Sequence, residues 1–223
     1  MSAIRKLITT FLALIICAPC LGRWYQVEVI AFEHTDTGIE TQEAWRELDE
    51  LPKFSRAIAP IVALPEMDDE PEFDEPGPVA FALLAREERK LNGVFDRLQR
   101  LGGYRPLFHA AWRQPRLTGR RARDLHLSDL NTRLTVPDQL VAEATTVEGL
   151  VKLNIARLLH VDVDFVFFGN APPVRLTARR KVKMRELHYF DHPLFGVFVQ
   201  VTPYVLPSRE IDEEQPEEAE NGS

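Results

Sequence analysis

From Trp24 the chain alternates, with Tyr25, Val27, Val29 and Ala31 set against Gln26, Glu28 and Ile30. A period of two sends successive side chains to opposite faces of an extended chain, so Trp24 to Phe32 is predicted to be a strand. Its β-branched and aromatic residues suit a central place in a sheet. Ile39, Trp45, Leu48 and Leu51 then recur at near-helical spacing between Thr41, a candidate N-cap, and Pro52, which closes the pattern. Trp45 offers either a staple for that helix or a flat face for a sugar ring. The strongest helical period runs from Phe81 to Leu101. Leu84, Leu91, Val94, Phe95, Leu98 and Leu101 fall on one face and Arg86, Glu87, Arg89, Lys90, Asp96, Arg97 and Arg100 on the other, with Gly102 and Gly103 as C-cap residues. Tyr104 to Arg113 follows as a strand with Pro106 at an edge or at the strand start, and strand, helix and strand together suggest a β-α-β unit.

The second half of the chain is dominated by extended patterns. Between Val147 and Phe167 every odd position except Arg157 is apolar or glycine, while the even ones include Glu148, Lys152, Asn154, His160, Asp162 and Asp164. One straight strand of that length would run about 70 Å at ~3.3 Å per residue, so a bend is expected near Ala156 to Leu158. Asn170 to Val174 reads as a turn. Arg175 to His188 is the next strand, expected to pair antiparallel with its neighbour so that Asp162 or Asp164 faces an Arg or Lys. In its second part Val182 and Met184 alternate with Lys181, Lys183 and Arg185. Tyr189 to Pro193 is predicted to be a turn, and Val197 to Val201 a return strand after Gly196. The expected fold is α+β: a mostly antiparallel sheet with long C-terminal strands and one main amphipathic helix packed on it.

Composition places these elements in an ordinary globular class, with 45% hydrophobic and 27% charged residues and room for one sizeable core. The net charge of -7 is unevenly placed. Pro65 to Pro78 holds seven acidic residues and no basic one, and Pro207 to Ser223 seven acidic and one basic. Such stretches cannot bury enough apolar surface to order themselves, so they read as a solvated loop and an acidic tail. Without them the rest of the chain is net positive. Residues 1–22 read as a signal peptide: Arg5 and Lys6 precede the apolar run Leu7 to Cys17, which is too short to span a bilayer. Cleavage is expected after Cys20 or Gly22, leaving one domain over 23–206 and no stable membrane insertion. Both cysteines lie in that leader, so disulfides, thiol nucleophiles and cysteine metal sites are excluded from the remainder. Arg113, Arg116, Arg120, Arg121 and Arg123 form a basic loop around Gly119, and the polar stretch Asp124 to Val136 is expected to be only partly ordered.

His188, Asp191 and His192 are the one cluster able to carry chemistry. Two imidazoles and a carboxylate can hold zinc, with Glu186 or His160 as a further ligand or base. The same residues also serve as a structural corner, Asp191 capping the turn and the histidines bonding backbone groups. HExxH, a nucleophile elbow, a phosphate loop and the spacing of a calcium loop are all absent, so no catalytic residue, cofactor or metal is assigned.

The run RRKVKMRELHYFDHPLFGVFVQVTPY, Arg179 to Tyr204, resembles the C-terminal signature of the CsiV family of periplasmic peptidoglycan-binding proteins, in which RR, ELHY and DHP recur in this order. WYQVEVIAFEH (Trp24 to His34), AAWRQP (Ala110 to Pro115) and VEGLVKLNIARLLHVDVDFVF (Val147 to Phe167) resemble further blocks of it. The resemblance implies a non-enzymatic periplasmic protein that binds peptidoglycan and assists cell-wall synthesis and cell-shape maintenance, with a periplasmic or outer-membrane component of the synthesis machinery as a further partner. The basic stretch supplies a candidate ligand surface of Arg179, Arg180, Lys183, Arg185, His188, Tyr189, Asp191 and His192, because aromatic rings suit sugar faces and Arg and Lys suit peptide carboxylates. The alternatives are a metal-dependent wall hydrolase built on His188, Asp191 and His192, and a protein-protein adaptor without glycan affinity. A nucleic-acid partner is opposed by the signal peptide.

Overall fold

The computed structural model describes residues 24–36, 48, 50–62, 78–132, 145–169 and 172–206. Its elements in chain order are β1 (Trp24–His34), α1 (Asn92–Arg100), β2 (Tyr104–Pro115), β3 (Asp124–Ser128), β4 (Val147–Ile155), β5 (Leu159–Phe167), β6 (Val174–Lys181), β7 (Leu187–His192) and β8 (Phe195–Tyr204). The strands form two four-stranded antiparallel sheets, ordered β2-β1-β8-β7 and β3-β4-β5-β6. The leader, the acidic stretch 65–77, the segment 207–223 and the predicted Thr41-capped helix up to residue 47, Trp45 included, lie outside the described residues.

The two sheets share one apolar core. Tyr25, Val27, Val29 and Ala31 of β1 point into it, as the alternation requires, and so do the odd residues of β4 and β5 and Phe195, Val197, Val199 and Val201 of β8. Rings meet across the gap: Phe108 lies 6.2 Å from Phe165, and Phe167 stacks at 5.4 Å on Phe195. The bend expected at Ala156 to Leu158 is the tip of the β4–β5 hairpin. The charge match across β5 and β6 is present as well, with Arg179 facing Asp162 and Arg175 held by Asp164 at 2.7 Å.

On its other face the first sheet carries a second, smaller apolar cluster, in which Leu91, Val94, Phe95 and Leu98 pack on Ile30, Phe32 and Phe198. The polar face of β1 is therefore buried too, and Gln26 and Glu28 are both only 2% exposed. Glu28 accepts hydrogen bonds from the Lys90 and Leu91 backbone N–H groups, from Gln26 Nε2 and from His109 Nε2. Burial raises its pKa, but these four partners together outweigh burial and leave it below the ordinary glutamate value. A carboxylate from a neighbouring strand thus holds Lys90 and Leu91, the two residues that lead into α1, whose N-cap Leu91 makes no side-chain cap bond.

Three expectations are corrected here. The helix covers Asn92–Arg100 and not Phe81 to Leu101, because the stretch before it is used elsewhere: Phe81 N–H bonds Arg113 O and Leu84 N–H bonds Ala111 O on the free edge of β2. That edge pairing protects a strand that would otherwise be open. β1 and β2 are antiparallel, so α1 links them without making a β-α-β unit. Within the stretch Asp124 to Val136, Asp124–Ser128 is a strand followed by a turn in which Ser128 and Asn131 exchange side-chain-to-backbone bonds of 2.7 and 2.9 Å, and residues 133–136 lie outside the described residues. The stretch Arg175 to His188 is not one strand. It leaves the second sheet after Lys181, where Val182 N–H still bonds Leu159 O, reverses at Arg185 (φ 64°), and enters the first sheet as β7.

Candidate functional site

Tyr189 to His192 is strand and not turn; the turn is Pro193–Leu194, between the paired residues His192 and Phe195. This distinction governs the whole cluster. Alternation along β7 sends His188, Phe190 and His192 to one face and Tyr189 and Asp191 to the other. His188 Nε2 accepts the Lys183 backbone N–H at 3.0 Å and closes the crossover loop, while His192 Nδ1 accepts the Leu194 N–H at 3.2 Å and packs its ring, tilted by 34°, against Phe195. Burial pushes the His192 pKa down, and His34 adds to this while Asp191 opposes it. Both histidines therefore bond backbone groups, but Asp191 does not cap a turn. With Asp191 on the opposite face, Glu186 bonded to Lys183 and His160 in the other sheet, the zinc arrangement weighed for a hydrolase does not assemble. Among the described residues no group of three His, Cys, Asp or Glu side chains could hold a metal ion.

The outward pair makes a different cluster. Tyr189 donates its hydroxyl proton to Asp191 Oδ1 in a short bond, and its oxygen lies 3.2 Å from His34 Nε2. His34 in turn donates from Nδ1 to the carbonyl of Pro193 at 2.9 Å. The Tyr189 ring is stacked on Phe32 at 5.9 Å, Phe32 meets Tyr104 edge-on at 5.7 Å, and Phe198 fills in beneath them. Tyr104 and Tyr189 remain 42% and 36% exposed, so the cluster presents aromatic surface to solvent beside a carboxylate. Burial pushes the Tyr189 phenol well above its usual range, helped by the bond to Asp191 and by that residue's charge. Protein surfaces commonly place such rings where a ligand is held.

Gly196 makes the platform possible. It stands between Phe32 and Asp191 in adjacent strands, and a Cβ there would lie 2.6 Å from both the Phe32 and the Tyr189 rings. The rings meet over bare backbone. Gly196→Ala is expected to cost about 1 to 3 kcal/mol, as overpacking usually does. It should also part Tyr189 from Asp191, so that the tyrosine titrates nearer its ordinary value of 10.0. Ultraviolet pH titration reads this directly, and an unchanged phenol would show that the rings give way elsewhere.

The basic residues have separate fates. Arg179 pairs with Asp162 on the second sheet, and Lys183 with Glu186 in the crossover. Arg180 donates to the Tyr189 carbonyl at 2.9 Å and lies over the Phe190 ring at 5.2 Å, which covers the outer edge of β7. Arg185 sits at the reversal and donates its N–H to Val201 O at 2.8 Å. They do not form one basic strand; among the described residues, only the Arg180 side chain of this set bonds to the strand that carries the platform.

The sequence model of the family described as a peptidoglycan-binding protein, CsiV, matches residues 5–204. The chain belongs to the CsiV family. No curated protein and no solved structure matches it. For this CsiV chain the blocks at Trp24 to His34 and Arg179 to Tyr204 are neighbours in space as β1, β7 and β8, and their most polar ends join at His34, Tyr189, Asp191 and Pro193. Sequence reasoning missed His34, Tyr104 and Gly196. His34 and Gly196 stand inside CsiV blocks already noted, but their role depends on which strands lie side by side, and no local pattern carries that.

Proposed function

We propose that this CsiV chain is an exported, non-catalytic protein of the periplasm that holds peptidoglycan on the Tyr189 platform and so assists cell-wall synthesis and cell-shape maintenance. The observation that carries the reading is the meeting of two family blocks, about 150 residues apart in the chain, in one exposed patch of aromatic rings and a carboxylate. An amino-sugar ring offers an apolar C–H face that suits Tyr104 and Tyr189, and its hydroxyl and acetamido groups suit Asp191 and His34. Arg180, with Arg179 before it and Lys183 and Arg185 after it in the chain, supplies cations for the carboxylates of the peptide stems. The machinery that builds the wall, in the periplasm or at the outer membrane, is the further partner this role calls for.

Cosedimentation with purified sacculi tests the surface. The double variant Tyr104→Ala, Tyr189→Ala is expected to bind about tenfold more weakly, a loss of roughly 1.4 kcal/mol. Undiminished binding by a variant with an unchanged melting curve would place the ligand elsewhere. Release of soluble fragments from the sacculi by the purified protein would overturn the non-catalytic reading. The intact mass of the exported protein tests location, since it should lack residues 1–20 or 1–22.

A further inference from the structure

Two basic stretches distant in sequence meet at one end of the molecule. The Gly119 N–H donates to Asn154 Oδ1 at 3.2 Å, Asn154 faces His160 across β4 and β5, and His160 faces Lys181 across β5 and β6. Arg116 donates to the Ile155 and Ala156 carbonyls, beside Arg157 at the hairpin tip. With strands about 4.8 Å apart, Arg120, Arg121 and Lys181 are gathered within roughly 15 Å. The bond from Arg185 N–H to Val201 O brings the crossover to the same end. Arg120, Arg121, Arg123, Arg157, Lys181 and Arg185 are all exposed, and none has a salt-bridge partner among the described residues. The two carboxylates nearest in sequence are engaged, Asp124 with Lys152 and Glu186 with Lys183.

The end of β8 lies inside this basic pole. Tyr204 is paired with Trp24, and Trp24 on its other side with Pro115, which leads directly into Arg116 and the Gly119–Arg121 turn. On the opposite flank of β8 stands Arg185. The chain therefore continues past Leu206 from between the two basic stretches, and the segment beyond it, Pro207 to Ser223, carries seven acidic residues and one basic. At about 3.3 Å per extended residue, Glu210 comes within roughly 13 Å of Leu206 and Glu220 within roughly 46 Å, enough to cross the pole. Tethering holds those carboxylates at an effective concentration on the order of millimolar.

We infer that the acidic segment 207–223 docks on the basic pole formed by the Gly119 turn, the β4–β5 tip and the Lys181–Arg185 crossover. Single exposed ion pairs are weak, so the association is a sum over many carboxylates and cations, and it is sensitive to salt. It does not depend on the wall-binding reading.

Zero-length carbodiimide coupling of the full chain, read by mass spectrometry, tests it, because the pole contains the amines of Lys181 and Lys183. At about 0.01 M salt, where charges act over roughly 30 Å, cross-links from 207–223 should concentrate on these two lysines; at about 1 M, where the range is about 3 Å, they should be lost. Replacing the seven acidic residues with their amides should shift the backbone resonances of residues 119–123, 157 and 181–185 at low salt only, and Arg120→Glu, Arg121→Glu, Arg157→Glu should abolish the cross-links. Cross-links spread evenly over Lys53, Lys90 and Lys152, cross-links to the pole from the acidic stretch 65–78 instead, or resonances that stay in place would each overturn the inference.

Discussion

Gly149→Ala is expected to destabilise the protein by about 3 kcal/mol, the upper end of the usual range for an overpacked core. Gly149 faces Phe165 across β4 and β5, and both are on the core side of their sheet. A Cβ at Gly149 would lie 2.4 Å from two atoms of the Phe165 ring and 2.6 Å from the Asp164 carbonyl oxygen. The ring cannot swing aside, because Phe165 is fully buried and lies 6.2 Å from Phe108 of the facing sheet, and the carbonyl is part of the strand backbone. The core is close-packed, so the displacement spreads to both sheets. Denaturant unfolding of Gly149→Ala, Phe165→Leu and the double variant checks the assignment. The double variant should be more stable than the sum of the single losses allows, whereas strict additivity would mean that the glycine is tolerated for some other reason.

Glu28→Ala should cost about 3 to 5 kcal/mol, the loss usual when one partner of a buried, charged arrangement is removed. Four donors, at Lys90, Leu91, Gln26 and His109, would then lack their acceptor in an interior where Glu28 is 2% exposed. Glu28→Gln keeps the shape but points an amide N–H at groups that are themselves donors, so it should recover only part of the loss. The pH dependence separates charge from packing. Because the folded-state pKa lies below the ordinary value of 4.5, the unfolded chain binds the proton first as pH falls. The charge contribution is therefore complete above about pH 4.5 and is lost as the pH drops through the lower, folded value. The stability gap between wild type and Glu28→Gln should narrow on acidification from pH 7 to below 4. A constant gap would mean that Glu28 acts by packing alone.

Much of the fold could be read locally. The alternation of β1 named its core side chains Tyr25, Val27, Val29 and Ala31 correctly, and its apolar character marked it as central, which it is, between β2 and β8. The length of the apolar pattern from Val147 to Phe167 forced the bend that became a hairpin, since a strand of that span would outrun the domain. The wording of four sequence blocks pointed to the CsiV family, and the match over residues 5–204 bears that out.

Other features lay beyond any local pattern. Leu84 and Leu91 have the spacing of a helix, yet one lies beside the free edge of β2 and the other precedes α1; periodicity reports which side chains are buried, not what buries them. Val182 and Met184 continue the alternation of a strand through the point where the chain passes from one sheet to the other. Only the backbone bonds to Leu159 and Val201 decide where that strand ends. The candidate site obeys the same rule. The residue types at His34, Tyr189, Asp191 and Gly196 are a matter of sequence, but their meeting depends on β1 and β7 both pairing with β8. Non-local pairing is selected by the energy of the whole core and leaves no mark on the residues next to each partner in the chain.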